Sequence, residues 1–444
     1  MFVNNCGNTV VSYIIHFLIG ESNAEKWQRL IGYTADQREF HQYGIVIVPA
    51  SSICFPTSAP AENDMPALPL TDIEGVPLLF GRPVVEWAGE TLVVYADIIA
   101  SSFFLLSRYE EMRRRGVRDR YGRFPGKESL PCKAGFIHRP VVDEYGRLLR
   151  GWLRRTGVDV PEPEPGIRKI WLTHDVDEPF FCRTFRNVLR EAVKGAGIGK
   201  AWRLFKGPLE ADPFYTFPWI VEQDNRLQKA VGRHRCEPLF FIKGGGRTKQ
   251  DRPVYNLHSA DMQSLLAISR TEQVGIGLHS SYSAGKNPVR IAAEKERLQK
   301  ATGMKIHDNR HHYLSLCEPE DCSWLERAGI TDDFTMGYAD VAGFRLGTCR
   351  PVRWINPATR SVSSLTLHPL TVMDVSLSDP RYMHLAYDEA LEYCLQLFDR
   401  VARSAGELVL LWHNNTVTGE RTFLTSATWH RKLYETLIQE LAKQ

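Results

Sequence analysis

The sequence predicts an α/β protein in two parts, a smaller α/β domain over residues 1–160 and a larger domain over residues 167–444 built on parallel strands. Three observations carry this. Pro161-Glu162-Pro163-Glu164-Pro165-Gly166 places three prolines in five residues, which neither a helix interior nor a central strand accepts, so residues 161–166 read as a stiff, extended linker. After the linker, apolar strand-like runs alternate with amphipathic segments about seven times, the pattern of parallel strands joined by crossover helices. Before it, short apolar runs such as Gly44–Val48 and Leu92–Tyr95 read as buried strands of a separate, smaller unit.

Composition sets the class. With 444 residues, 43% apolar and 24% charged, the chain can bury a substantial core. Its formal net charge of +3 selects neither nucleic acid nor an acidic surface. The local cluster Arg113-Arg114-Arg115, Arg118, Arg120 and Arg123 is expected to be a solvated helix end rather than a binding patch. Nine cysteines without a C-x-x-C pair read as free thiols of a reducing, cytoplasmic compartment. The apolar run Val10–Ile19 lacks a preceding basic residue, meets Glu21 where a signal peptidase site would need small residues, and is too short to span a bilayer. It is expected to be a buried N-terminal element. No nucleic-acid partner and no membrane span are expected; oligomeric state is left open.

In chain order, Pro56–Pro69 reads as a loop, Asp97–Met112 as a helix capped by Asp97, and Val142–Arg155 as a second helix. Beyond the linker the expected strands are Lys169–Asp175, Pro238–Lys243, Val274–His279, Met304–Arg310, Ile330–Thr335, Ser363–Leu370 and Leu408–His413. Helical periodicity marks Asp261–Glu272, Pro288–Ala301, Pro319–Ala328 and His384–Ser404, the second opened by Asn287 as cap and Pro288 in the first turn. Such a sheet closes into a barrel, with its site at the strands' C-terminal ends, or stays open and doubly wound. The first strand is not followed by a glycine-rich phosphate turn, which argues against a nucleotide crevice.

Polar residues gather at those strand ends. Ile170-Trp171-Leu172-Thr173-His174-Asp175-Val176-Asp177 ends in two carboxylates two residues apart, hence on one face of a strand. One can ligate a divalent cation while the other accepts a proton from a metal-held water; both can equally cap the element that follows. Gly275-Ile276-Gly277-Leu278 ends in His279, Lys305–Arg310 leads into His311-His312-Tyr313, and Leu410-Leu411-Trp412 ends in His413. One such histidine is usually a satisfied hydrogen-bonding group. Several at corresponding ends, beside the aspartate pair, point to a metal site whose carboxylate and imidazole donors suit Zn2+ and other first-row divalent ions.

On these residues the segment Lys169–His413 resembles the polysaccharide deacetylase family of carbohydrate esterases, whose fold is a distorted (β/α)7 barrel. The resemblance implies Asp175 as catalytic base and Asp177 as metal ligand. The family's second motif, His-Ser/Thr-x-x-His, here reads His279-Ser280-Ser281-Tyr282-Ser283, so only His279 matches. Phe344-Arg345-Leu346-Gly347 resembles the third motif, implying that Arg345 holds the base ionised and aimed, although the usual proline is missing. Leu410–His413 resembles the last motif and implies His413 as general acid. Residues 1–160 resemble the extra domain of some bacterial members. With Ser283 where the family has a ligand, His312 is expected to supply the third one from the neighbouring strand, His311 then facing away.

The expected activity is metal-dependent removal of an N- or O-acyl group, such as acetyl, from a carbohydrate. Asp175, Arg345 and His413 would be catalytic, Asp177, His279 and His312 would bind the metal, and Tyr282, Tyr338 and Trp412 would contact the sugar. Two rivals stand beside it: hydrolysis of a non-sugar C–N bond on the same scaffold, and a degenerate barrel that binds a glycan or partner without chemistry.

Overall fold

The computed structural model describes residues 9–55, 64–183, 188, 198–285, 287–418 and 427–444. Part of the expected loop at 56–69, residues 56–63, and Cys6 lie outside them.

The first region is built around a four-stranded sheet. Its strands are β1 (Ile31–Tyr33), β2 (Ile45–Ile47), β5 (Gly81–Ala88) and β6 (Thr91–Ala96), while β3 (Thr71–Ile73) and β4 (Val76–Leu78) form a separate hairpin. The order is β1-β2-β6-β5, parallel except for the last pair. Val10–Ile19 is indeed buried, in a helix over Thr9–Ile19. Among the described residues no helix is long and apolar enough to cross a membrane. Asp97 caps the next helix as expected, accepting from Ala100 N at 2.9 Å. That helix is shorter than its periodicity suggested: it stops at Leu106, Arg108 turns left-handed (φ 60°), and a new helix runs over Tyr109–Arg113.

The second region holds a nine-stranded sheet: β7 (Lys169–Val176), β8 (Cys236–Ile242), β9 (Gly275–Ser280), β10 (Asp308–His311), β11 (Asp332–Asp333), β12 (Val352–Asn356), β13 (Ser361–Leu367), β14 (Val372–Met373) and β15 (Glu407–His413). Their order is β12-β13-β11-β10-β9-β8-β7-β15-β14, with only β12 antiparallel to its neighbour. Strands β12 and β14 and the helix Phe217–Val231 have no counterpart in the sequence reading.

The expected closed barrel requires correction, because among the described residues no ladder joins the two edges of this sheet. The order nevertheless advances strand by strand along the chain, without the reversal of a doubly wound sheet. The sheet is rolled. A small apolar cluster joins Leu239 and Phe241 of β8 to Phe334, Leu370, Met373, Val409 and Leu411 from the distant strands, and it is separate from the larger core outside. One stretch of chain bridges the seam: Ser361–Leu367 pairs with β11, and Val372–Met373, starting five residues after Leu367, pairs with β15. Between them His368 N donates to Asp333 O at 2.8 Å and Thr371 N to Val409 O at 3.0 Å. The seam is thus spanned by a bend in one chain, and the sheet itself stays open there.

Pro161–Pro165 is exposed and belongs to no helix or strand. The outer apolar core nevertheless runs without interruption from Val10 through Leu149 to Leu408 and Leu441. In the arginine cluster, Arg113, Arg115 and Arg120 are exposed as expected, but most of its members are also paired. Arg113 meets Asp64 at 3.0 Å, Arg114 meets Glu110 at 2.6 Å, and Arg115 and Arg118 both reach Glu318 of the second region, at 2.6 and 3.0 Å. Glu110 is a local partner one helical turn before Arg114, but Glu318 lies about two hundred positions from Arg115 and Arg118, beyond any local pattern.

Candidate metal centre

Alternation along β7 turns Ile170, Leu172 and His174 toward the helices, and Trp171, Thr173 and Asp175 into the rolled interior. Asp177 follows two residues on. The parallel register sets Asp175 level with His413 of β15 and with Phe241 of β8, while His279 of β9 is level with Arg310 of β10. Gly277 leaves the room this needs, since a Cβ there would stand 2.5 Å from the Phe241 ring.

Asp177, His279 and His312 converge, with one donor atom of each within 4.8 Å of the others. His279 Nε2 lies 3.0 Å and His312 Nε2 3.3 Å from the same oxygen, Asp177 Oδ1. The other ring nitrogen of His279, Nδ1, is 2.9 Å from the Arg310 carbonyl, which can only accept, so Nδ1 carries the hydrogen. The remaining nitrogen, Nε2, faces the carboxylate oxygen, so the pair can share either a proton of His279 or a cation held between them. Ligands each about 2.1 Å from a tetrahedral zinc ion stand about 3.4 Å apart, close to these separations. The three donors fit a divalent first-row ion. Burial pushes the Asp177 carboxyl up, but the His312 and His279 imidazoles outweigh it and hold the group well below its usual range.

Around this cluster stand groups that the sequence reading did not single out. Asp251, fully buried, lies 3.7 Å from His312 Nδ1, beyond hydrogen-bond range, and that nitrogen has no other hydrogen-bond partner. Its carboxylate accepts from the backbone N–H groups of Tyr282, Arg247 and Thr248 at 2.6, 2.9 and 3.0 Å. The Lys243 ammonium is buried beside them, donating to the Asp251 and Pro253 carbonyls at 3.2 and 3.0 Å; burial draws its pKa down against the pull of Asp177 and Asp251. An isolated Asp in a polar loop carries no signal. Lys243, a charged residue at the end of the apolar run Leu239–Ile242, does carry one, whereas Arg310 follows the polar stretch His307-Asp308-Asn309 and carries none.

Asp175 is held by Arg310, with Nη1 at 3.1 Å from Oδ1; its Oδ2 lies 3.7 Å from His279 Nε2. Arg310 is itself buried, bonded through Nε to Phe334 O at 2.9 Å and through Nη1 to Thr173 Oγ1 at 2.7 Å. Arg345, expected in this role, is turned elsewhere. Its Nε and Nη2 grip the Glu111 carboxylate of the first region at 2.9 and 2.8 Å, and Nη1 donates to Gly337 O at 2.8 Å. His413 closes the opposite side. Its Nδ1 is 2.8 Å from Asp374 Oδ1, and its Nε2 lies 3.8 Å from Asp177 Oδ2. Burial alone would lower its pKa, but Asp374, with smaller contributions from Asp177 and Asp175, raises it to about 10. Asp374, directly after β14, is another partner with no sequence signal of its own.

His311 faces away, bonded to Asn309 Nδ2 at 3.0 Å, with burial and then His279 lowering its pKa to about 3. Ser283 is also outside the cluster, its hydroxyl accepting from Arg247 N at 3.1 Å. The three aromatic residues separate. Tyr282 is half-buried near the cluster, its ring 6.0 Å from Tyr313, which packs 4.6 Å from His312. Trp412 points outward, buried against Tyr434 at 5.3 Å, because it has the opposite strand parity to His413. Tyr338 is buried with Phe124, Ile137 and Val341, under the Arg345 guanidinium. Neither Trp412 nor Tyr338 lines the cluster.

Residues 4–157 match the model of a family of unknown function, DUF7033. No curated protein matches the chain. Among solved structures, the chain is similar to one provisionally described as a polysaccharide deacetylase, from Mycobacterium smegmatis, at 14% identity and a TM-score of 0.38, covering 64% of this chain and 86% of that one. It is also similar to a CE4 family pseudoenzyme from Bacillus anthracis, at 12% identity and a TM-score of 0.29, covering 63% of each chain. A mutant of a CE4 pseudoenzyme with restored enzymatic activity gives 12% and 0.29, covering 63% of this chain and 65% of that one.

Proposed function

We propose that this chain is a metal-dependent hydrolase that removes an N- or O-acyl group from a carbohydrate, with the chemistry carried by residues 167–444. One observation carries the reading: a Asp177–His279–His312 cluster has a carboxylate on one side and a hydrogen-bonded imidazole on the other, each with a buried partner of opposite charge. Asp177, His279 and His312 would hold the ion, and zinc suits that donor set. Bound there, a divalent ion supplies Lewis acidity toward an acyl carbonyl and a water of lowered pKa.

The remaining work belongs to side chains. Arg310 fixes Asp175 through Oδ1, which leaves Oδ2, the oxygen nearer the cluster, to take a proton. His413 is raised to about 10, so it holds a proton at neutral pH and can give it from Nε2 to the leaving nitrogen or oxygen. Asp374 keeps the imidazole in place through Nδ1 and stabilises its charge. The separation of proton acceptor from proton donor across one ion site is the arrangement that acyl hydrolysis requires.

The test is metal content and acetate release, measured together on an acetylated oligosaccharide panel. Asp175→Asn should keep the metal and lose turnover by about a hundredfold or more. Asp177→Ala and His312→Ala should both lose the metal. A wild-type chain that holds no divalent ion, or an Asp175→Asn variant as active as wild type, overturns the reading.

A further inference from the structure

The turn that aims His312 is strained, and the first region holds it. Tyr313 and Leu314, directly after His312, both adopt left-handed backbone (φ 62° and 51°). Bulky residues avoid that region, and two in succession persist only where surrounding contacts enforce them. Helix propensity or strand pairing provides no such force here. Leu314 is anchored in the interior apolar cluster with Leu239, Phe241 and Phe334, while Tyr313 is held from residues 119–123, nearly two hundred positions earlier in the chain.

Arg123 is 8% exposed, and its guanidinium is fully engaged. Nη1 donates to the Tyr313 carbonyl at 3.0 Å, Nη2 to the Tyr382 hydroxyl at 3.2 Å, and Nε to Asp119 Oδ2 at 2.8 Å. The Tyr121 ring lies 4.8 Å from the Tyr313 ring, which also meets the His312 imidazole at 4.6 Å and the Tyr282 ring at 6.0 Å. The Tyr121 carbonyl accepts from the Tyr282 hydroxyl at 3.1 Å, tying the same turn to the segment after His279. The turn itself is preformed: Asp119 Oδ1 accepts from Tyr121 N and Arg123 N at 2.8 and 3.0 Å. It is pinned on both flanks, by Arg118 on Glu318 at 3.0 Å and by Gly126 N on Asp340 Oδ1 at 2.7 Å.

We propose that residues 119–123 of the first region are a positioning element of the metal centre, in which Arg123 and Tyr121 hold the Tyr313 turn so that His312 faces Asp177. This rests on the metal-centre reading above, and gives the region that matches a family of unknown function a role in the neighbouring chemistry. Arg123 and Tyr121 touch neither ion nor reacting atoms; they act through Tyr313 on His312. Released from them, the turn relaxes, the imidazole leaves the cluster, and two donors remain.

The test is Co2+ titration of the metal-free full-length chain, following the visible absorption of the bound ion, with circular dichroism to verify folding. Partners behind a metal-bound histidine typically change affinity about ten- to a hundredfold, so Arg123→Ala should weaken Co2+ binding by at least about tenfold and alter the spectrum. Arg123→Lys, which can still donate to the Tyr313 carbonyl, should recover part of both. Tyr121→Ala, in which Arg123 remains, should shift the spectrum in the same direction by a smaller amount and serves should Arg123→Ala fail to fold. Folded variants with wild-type affinity and spectrum overturn the proposal. A wild-type chain that binds no Co2+ overturns the metal centre itself, a separate result.

Discussion

Arg310 Nη1 lies 3.1 Å from Asp175 Oδ1, although their strands stand three places apart in the sheet. Strands are about 4.8 Å apart, so on a flat sheet the two backbones would be about 14 Å from one another and the contact would be out of reach. Rolling brings the two inner faces together. We expect Arg310→Lys, which retains the charge but loses the planar fork, to lower turnover about tenfold with metal content unchanged. Arg345→Met should behave differently. It leaves Glu111 buried with Arg108 as its remaining partner and should cost about 3–5 kcal/mol of stability in denaturant titration, while turnover per folded molecule stays near wild type.

The pair Asp374 and His413 predicts the alkaline limit of the reaction. His413 is held at about 10, so a step that needs its proton should persist at neutral pH and decline only as pH approaches that value. Asp374→Asn removes the largest influence that raises it and leaves burial, which lowers it. The alkaline limb of kcat should then move down by more than one pH unit, toward the ordinary histidine value of about 6.5. A limb that does not move would show that another group delivers the proton.

At the other end of the strands, His368 predicts a pH-dependent stability. Its Nδ1 is 2.9 Å from Glu407 of β15 and its Nε2 3.2 Å from Asp332 of β11, and its ring stacks on Phe334 at 4.4 Å. It therefore bridges the seam where no ladder does. Burial lowers its pKa, but the two carboxylates outweigh this and raise it to about 9. The folded value lies above the unfolded value of about 6.5, so its stabilisation is complete below pH 6.5 and is lost as pH rises through 9. The amount at stake is on the order of 3 kcal/mol. His413 titrates over an overlapping range, so the measurement is the difference in unfolding free energy between wild type and His368→Gln from pH 6 to 10. That difference should shrink steadily as pH rises; a flat difference would refute it.

What the sequence alone determined is whatever rests on local periodicity. The strand period of two places Asp175 and Asp177 on one face, and the alternation of strands and helices makes the second region a parallel sheet. Adjacent strands in a parallel order also make His279 and His312 neighbours, and the structure brings both to Asp177. The caps Asp97 and Asn287 are local for the same reason. The tertiary structure alone decided whatever depends on how far the sheet rolls and on what packs against it. That is why Asp175 meets Arg310 and not Arg345, why His413 has Asp374, and why the ring stays open at β12 and β14. It also decided that the arginine-rich stretch near residue 118 meets Glu318, because the pairing of two charges so distant in the chain leaves no periodic trace in either segment. Trp412 shows the limit from the other side: it is adjacent to His413 in sequence, yet strand parity sends it to the outer core.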